Sequence, residues 1–186
     1  MSRPAAETHR VQRVVEQWPV VHLESEIPAV TAVTLDGLVR HPRLLSLRDL
    51  AALGGGEHAV DLHCVWGWSK PGVPWTGVRL AAVLDAAGPD CGGEPFVIVS
   101  SASDTYSSCL PLSDAARGIL AWGREGHMLP DEHGGPLRYV APDGYWAYKG
   151  VKWANRVTVV DHFRPGFWES KLADPVGCIP EEVELP

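Results

Sequence analysis

Residues 61–80 read DLHCVWGWSKPGVPWTGVRL and gather one Cys, one His and three Trp. Ahead of Cys64 the chain alternates: Val60, Leu62 and Cys64 fall on one side, Asp61 and His63 on the other. Alternation of period two predicts a strand. After Cys64 the succession of Trp, Gly, Ser and Pro predicts an irregular, aromatic-rich loop, because these residues interrupt regular structure. Cys64 therefore stands at a strand end beside a loop, a place from which a thiol can face a ligand. The competing reading is a Cys that merely fills an apolar site, as free cysteines commonly do.

The chain has 186 residues, of which 45% are apolar and 21% charged. That is enough for one globular domain with a sizeable core. Net charge is −7, so the basic footprint of a nucleic-acid binder is absent. No apolar run approaches the roughly twenty residues of a membrane span. The first residues carry neither the apolar core of a signal peptide nor a twin-Arg pair, so the expected location is cytoplasmic unless a leader has been trimmed. Cys64, Cys91, Cys109 and Cys178 are widely spaced and form no C-x-x-C. Disulfide frameworks, zinc ribbons and covalent haem attachment are thereby set aside, and Cys178 is expected to be an exposed thiol. Eight Trp are present, several of them in expected loops, where they suit the walls of a cleft or else a Trp-rich core.

Outward from the opening stretch, the pattern is of short strands and a few short helices. Residues 1–28 read as a lead segment, with a short helix expected over Arg10–Trp18 and an extended piece, VVHLESEI, between two prolines. A β-prone run follows from Thr31 to Leu35. Ser46 and Asp49 form a capping-box-like start to a helix that Gly54–Gly56 end. A second helix is expected over Arg79–Ala87, a buried strand over Phe96–Val99 and a partner over Ser107–Leu110. Ser113 is placed to cap one further turn. Ile119–Trp122, Leu137–Val140 and Val157–Val160 read as strands, with a turn at Gly123–Gly126. The tail from Pro165 is expected to wrap the surface. No βαβ repeat appears, so the fold expected for residues 29–186 is α+β: a β-rich mixed sheet, barrel-like, with short helices.

A second dense stretch, PDEHGGPLRYVAPDGYWAYKGVKW, runs from Pro130 to Trp153 and holds His133, Arg138, Lys149 and Lys152. Gly134 and Gly135 let backbone approach a ligand, while Arg and Lys suit a phosphate. In an acidic chain such a basic cluster suggests an anionic ligand; a solvated strand pair with charges outward is the plainer alternative. Phosphate-loop and dinucleotide fingerprints are missing, as is a serine-hydrolase elbow. Zinc held by some of His63, Cys64, Cys109, His127 and His133 is conceivable, but neighbours such as His63 and Cys64 point to opposite strand faces.

Taken together, Cys64 with VWGWS and the following W-x-G, then HGGPLR, then YKGVKW, resemble the molybdenum-cofactor domain of the sulfite oxidase family. TLDGLVRHPRLLSLRDL resembles that family's opening strand and helix. The resemblance runs from about Val30 to Glu169 and is closer to short bacterial members and to the catalytic subunit of methionine-sulfoxide reductase. It implies an oxidoreductase with a single-pterin molybdenum cofactor that transfers an oxygen atom with a two-electron change. By resemblance Cys64 is the metal ligand and catalytic residue, a soft thiolate suited to a metal already held by sulfur. Ser101, His133, Arg138, Gly150, Val151 and Lys152 fall on the cofactor-binding positions, and Ala147 stands where the family usually has Gly. His22 and Glu24 fall near the site.

Cys64 is followed by Val65 and Trp66, where sulfite oxidases carry an Arg-bearing segment. With Trp66, Trp68 and Tyr106 in the cleft, a neutral S-oxide or N-oxide is expected to suit it better than sulfite. No haem or iron–sulfur motif is present, so a separate electron-transfer partner, haem or other redox protein, is implied. The alternative is a domain that keeps the fold and binds a ligand or partner without turnover.

Overall fold

Two open sheets carry the chain, and the computed structural model describes residues 13–20, 26–172 and 175–180. The first sheet holds β1 (Arg13–Val14), β4 (Gly56–Cys64), β5 (Trp68–Arg79), β8 (Ile119–Arg124), β9 (His127–Met128) and β10 (Arg138–Val140). The second holds β2 (Ala32–Gly37), β3 (Arg43–Ser46), β6 (Phe96–Ser101), β7 (Ser107–Pro111) and β11 (Ala154–Val160), in the order β3-β2-β11-β6-β7. Only the β2–β11 pair of this second sheet is parallel. Three short helices, α1 (Leu47–Ala52), α2 (Leu80–Ala87) and α3 (Leu112–Arg117), join them. The α+β expectation holds, but the sheet does not close into a barrel: β3 and β7 remain as its edges. Among the described residues no helix is long and apolar enough to cross a membrane.

Strand alternation explains how two cores form. In β8, Leu120 packs into the larger cluster with Val33, Leu35, Val97, Val99, Val157 and Val159. Its neighbours Ile119 and Ala121 pack on the other face with Trp18, Leu62, Val73 and Trp75. Side chains of a strand point alternately to opposite faces, so a strand apolar at every position is buried on both. The first sheet is therefore the shared middle layer.

Several local expectations hold. Ser46 caps α1, and both halves of the capping box with Asp49 are present. Gly88 ends α2 in the left-handed conformation. Others are corrected. Arg13–Val14 is a strand rather than helix, because the free edge of β5 offers it carbonyls: Arg13 N donates to Gly67 O at 3.0 Å and Val15 N to Ser69 O at 2.9 Å. The stretch after Cys64 is not an irregular loop but the twelve-residue β5, turning back on β4 as a hairpin. Pro71 falls where the β4–β5 register shifts, a place where a missing N–H costs nothing. Pro111, not Ser113, occupies the cap of α3. β8 continues to Arg124, so the turn is narrowed to Glu125–Gly126 before β9. Residues 21–25 of VVHLESEI, with His22 and Glu24, lie outside the described residues.

Candidate active site

The β4–β5 hairpin places Cys64. It pairs with Trp68, and Gly67 closes the turn at φ +84°, a region costly to a residue with a Cβ. Gly67 N donates to Cys64 O at 3.0 Å, so the thiol leaves from a fixed backbone. Burial pushes the thiol up, partly offset by the Trp66 backbone. His63 points to the other face, buried, with Nδ1 2.7 Å from Ser69 Oγ. The strand thus separates the two potential ligands, and only Cys64 lines the cavity.

That cavity, about 190 Å³, is where the separated motifs meet. Cys64, Ser101, Arg138, Gly150 and Lys152 all line it. Ser101 ends β6, is 1% exposed and has its hydroxyl 2.9 Å from Ser103 Oγ. Arg138 opens β10; its Nη1 donates to His133 O at 3.0 Å, and its guanidinium lies 5.6 Å from the Trp75 ring. Burial lowers Arg138 to about 10, so it keeps its charge at neutral pH. Lys152 Nζ donates to Glu132 O at 2.6 Å. Among the described residues, no carboxylate lines the cavity.

Two expected site residues stand behind the wall rather than in it. Val151 is fully buried, and its backbone pairs with Tyr139 in both directions at 2.9 and 2.8 Å. That pairing presents Gly150 and Lys152 on either side of it. His133 packs edge-on to Trp18 at 5.1 Å and supports Arg138 through its carbonyl. Burial, then Arg124, Arg138 and Lys152, holds His133 down at about 4, so the imidazole is neutral near pH 7. A Cβ on Gly135 would stand 2.0 Å from Leu129 O, so this backbone approach requires glycine.

Lys149, grouped by sequence with the basic cluster, is not part of the site. It is fully buried and paired with Glu169. Arg156 and Arg117 are also remote, paired with Asp36 and Asp114 on the surface. The expected Trp66, Trp68 and Tyr106 do line the cavity. Trp153, which closes YKGVKW, is in the same wall, and sequence reading missed Trp18, Trp168 and Leu172 there. Nothing in local pattern marks them, since the tail that carries Trp168 and Leu172 has no periodicity.

The donor set fits a cofactor that brings a soft metal and an anionic tail. Among the described residues Arg138 Nε and Trp68 Nε1 are buried without a hydrogen-bond partner, although both residues line the cavity. Buried donors normally find a partner, so these point to a polar group held there. Cys64 supplies the thiol, and Arg138 and Lys152 the cations. Among the described residues no cluster of three or more His, Cys, Asp or Glu gathers to hold a metal alone.

The model of the oxidoreductase molybdopterin binding domain matches residues 22–168. The chain is 36% identical over 165 residues to the uncharacterized oxidoreductase YuiH of Bacillus subtilis, covering 85% of this chain and 81% of that one. It is 30% identical over 177 residues to the protein-methionine-sulfoxide reductase catalytic subunit MsrP of Gluconobacter oxydans, covering 86% and 56%. In fold it is similar to the sulfane dehydrogenase SoxCD from Paracoccus pantotrophus, with a TM-score of 0.62 at 19% identity, covering 87% of this chain and 54% of that one. The chain thus spans most of YuiH but only about half of the other two.

Proposed function

The chain belongs to the oxidoreductase molybdopterin-binding family, and from that footing we propose that Cys64 holds molybdenum beside a pocket for a neutral oxide. It is a molybdopterin-dependent oxidoreductase of the sulfite oxidase type. When bound, the cofactor supplies two-electron chemistry coupled to oxygen-atom transfer. The chain's own residues do the rest. Cys64 gives the thiolate, and coordination offsets the burial that otherwise keeps its proton on. Arg138 and Lys152 hold the phosphate, with Ser101 and the Gly150 backbone as further polar contacts. His133 steadies Arg138, and Val151 fixes the Gly150–Lys152 segment.

One observation carries the substrate reading. Beyond Arg138 and Lys152, which the phosphate engages, the cavity wall includes Val65, Trp66, Trp68, Tyr106, Trp168 and Leu172, and among the described residues no further Arg or Lys lines it. A small dianion needs converging cations, because burying its charge unpaired is costly. Indole faces with an N–H at the edge suit a polar oxygen on an apolar body. The likeness to a protein-methionine-sulfoxide reductase supports the same direction. Reduction of a sulfoxide consumes two electrons and two protons and yields the sulfide and water. No motif in this chain carries electrons onward, so a separate redox protein is the proposed donor.

Steady-state kinetics with an artificial electron carrier test the reading. Methionine sulfoxide, dimethyl sulfoxide or trimethylamine N-oxide is expected to be reduced with higher kcat/KM than sulfite is oxidised. Efficient sulfite oxidation without any oxide reduction would overturn it.

A further inference from the structure

Trp168 and Leu172 enter the cavity wall from a segment that follows the last strand and belongs to no sheet. Backbone bonds from Ser170 N to Gly166 O (3.1 Å), Lys171 N to Trp168 O (2.9 Å) and Leu172 N to Trp168 O (2.8 Å) wind it into a turn. Residues four apart on such a turn share a face, which is why both side chains reach the cavity. Phe167 packs edge-on to Trp168 at 5.1 Å and against Tyr106 at 6.0 Å.

Below this turn lies Glu169, 4% exposed. Its Oε1 accepts from Ser108 Oγ at 2.9 Å and Cys109 N at 2.9 Å, and its Oε2 from Gly166 N at 2.6 Å. Lys149 pairs with the same carboxylate and donates to Cys109 O at 2.7 Å. A buried carboxylate with this many donors is held in one place, since moving it strands charge and donors together. The turn brings no charge into the cavity: Lys171 folds over Phe167, 4.7 Å from the ring centre.

We propose that Trp168 and Leu172 are specificity-determining residues of the substrate side of the cavity, and that Glu169 is the positioning residue that fixes them. This rests on the neutral-oxide reading above. It commits to a substrate class: an S-oxide or N-oxide whose apolar body is large enough to lie against an indole. Small oxides gain less from this wall, because they present less apolar surface to it.

The test compares cofactor-loaded wild type with Trp168→Ala, Leu172→Ala and Glu169→Gln. Methyl phenyl sulfoxide is titrated calorimetrically without an electron donor, so that binding is read apart from turnover. Kinetics with methyl phenyl sulfoxide and dimethyl sulfoxide follow. Trp168→Ala is expected to weaken methyl phenyl sulfoxide binding about ten-fold and to raise its KM by a similar factor. Its kcat is expected to change by less than about two-fold, and the KM for dimethyl sulfoxide to move less. Molybdenum and pterin content stay as in wild type. Glu169→Gln shows the same KM-selective loss, and adding Lys149→Met, which removes the stranded charge, restores part of it.

Equal methyl phenyl sulfoxide binding by wild type, Trp168→Ala and Leu172→Ala overturns the proposal, as does absence of binding by wild type. Loss of molybdenum and pterin on substituting Trp168 also overturns it, by making this a cofactor wall. Trp168-dependent binding without reduction of any oxide leaves the wall standing and sinks the reaction assigned above.

Discussion

Lys149 Nζ and Glu169 Oε1 are in direct contact with both side chains shut off from water, at 0% and 1% exposure. The pair ties the segment after β11 to β7, because Glu169 also accepts from Ser108 and Cys109. Removing one member of such a pair strands the other in the interior. Lys149→Met or Glu169→Gln alone is expected to cost about 3–5 kcal/mol, and the double substitution clearly less than the sum. Urea unfolding of the three variants measures this. Additive losses would mean that the two charges do not depend on each other.

Arg138 and Lys152 are expected to act on cofactor retention more than on folding. A charge-assisted contact contributes about 1.5–3 kcal/mol, so Arg138→Met or Lys152→Met should lower pterin retention about ten-fold or more. Among the described residues the buried Nε of Arg138 has no partner, so an apolar replacement should change stability of the cofactor-free protein by less than about 1 kcal/mol. Pterin assay and thermal unfolding of the same preparations check both halves. Full pterin content in both variants would contradict the assignment.

His133 makes the cofactor-free protein acid-sensitive. Its folded value is near 4, whereas an unfolded histidine titrates near 6.5. Below about 6.5 the unfolded chain takes a proton that the folded protein refuses. The contribution of His133 to stability is therefore whole above that pH and falls away toward pH 4. The stability difference between wild type and His133→Asn, measured at pH 7 and pH 4.5, should shift in favour of the variant at the lower pH. A difference that stays constant would show that His133 protonates freely.

The parts of the fold that were legible in the sequence are those set by local periodicity or local bonding. Val60 and Leu62 alternate because β4 has one apolar face, and Ser46 and Asp49 announce α1 through bonds three residues apart. Cys64, Ser101, Arg138, Gly150 and Lys152, far apart in the chain, line one cavity, while His133 and Val151 stand behind its wall. What was not legible depends on partners far along the chain. Pro71 argues against a strand until β4 is seen to shift register beside it. Arg13 and Val14 become a strand only because β5 lends an edge. Lys149 looks like its neighbour Lys152, and it is Glu169, twenty residues on, together with the Cys109 carbonyl that draws it inward. Trp168 and Leu172 lie in an aperiodic tail, whose direction is set by Glu169 rather than by any repeat.

The central claim is that Cys64 is the protein's ligand to molybdenum, and X-ray absorption at the molybdenum edge tests it most directly. Wild type and Cys64→Ser, each loaded with cofactor, are compared in the same state. Pterin content should be equal, since the proposed phosphate anchors, Arg138 and Lys152, line the same cavity and are untouched by the substitution. The variant should show one sulfur neighbour fewer around the metal, with loss of turnover, because a serine hydroxyl is far less available as an anion than a thiol of pKa about 8.5. An unchanged sulfur shell, or turnover equal to wild type, would contradict the account.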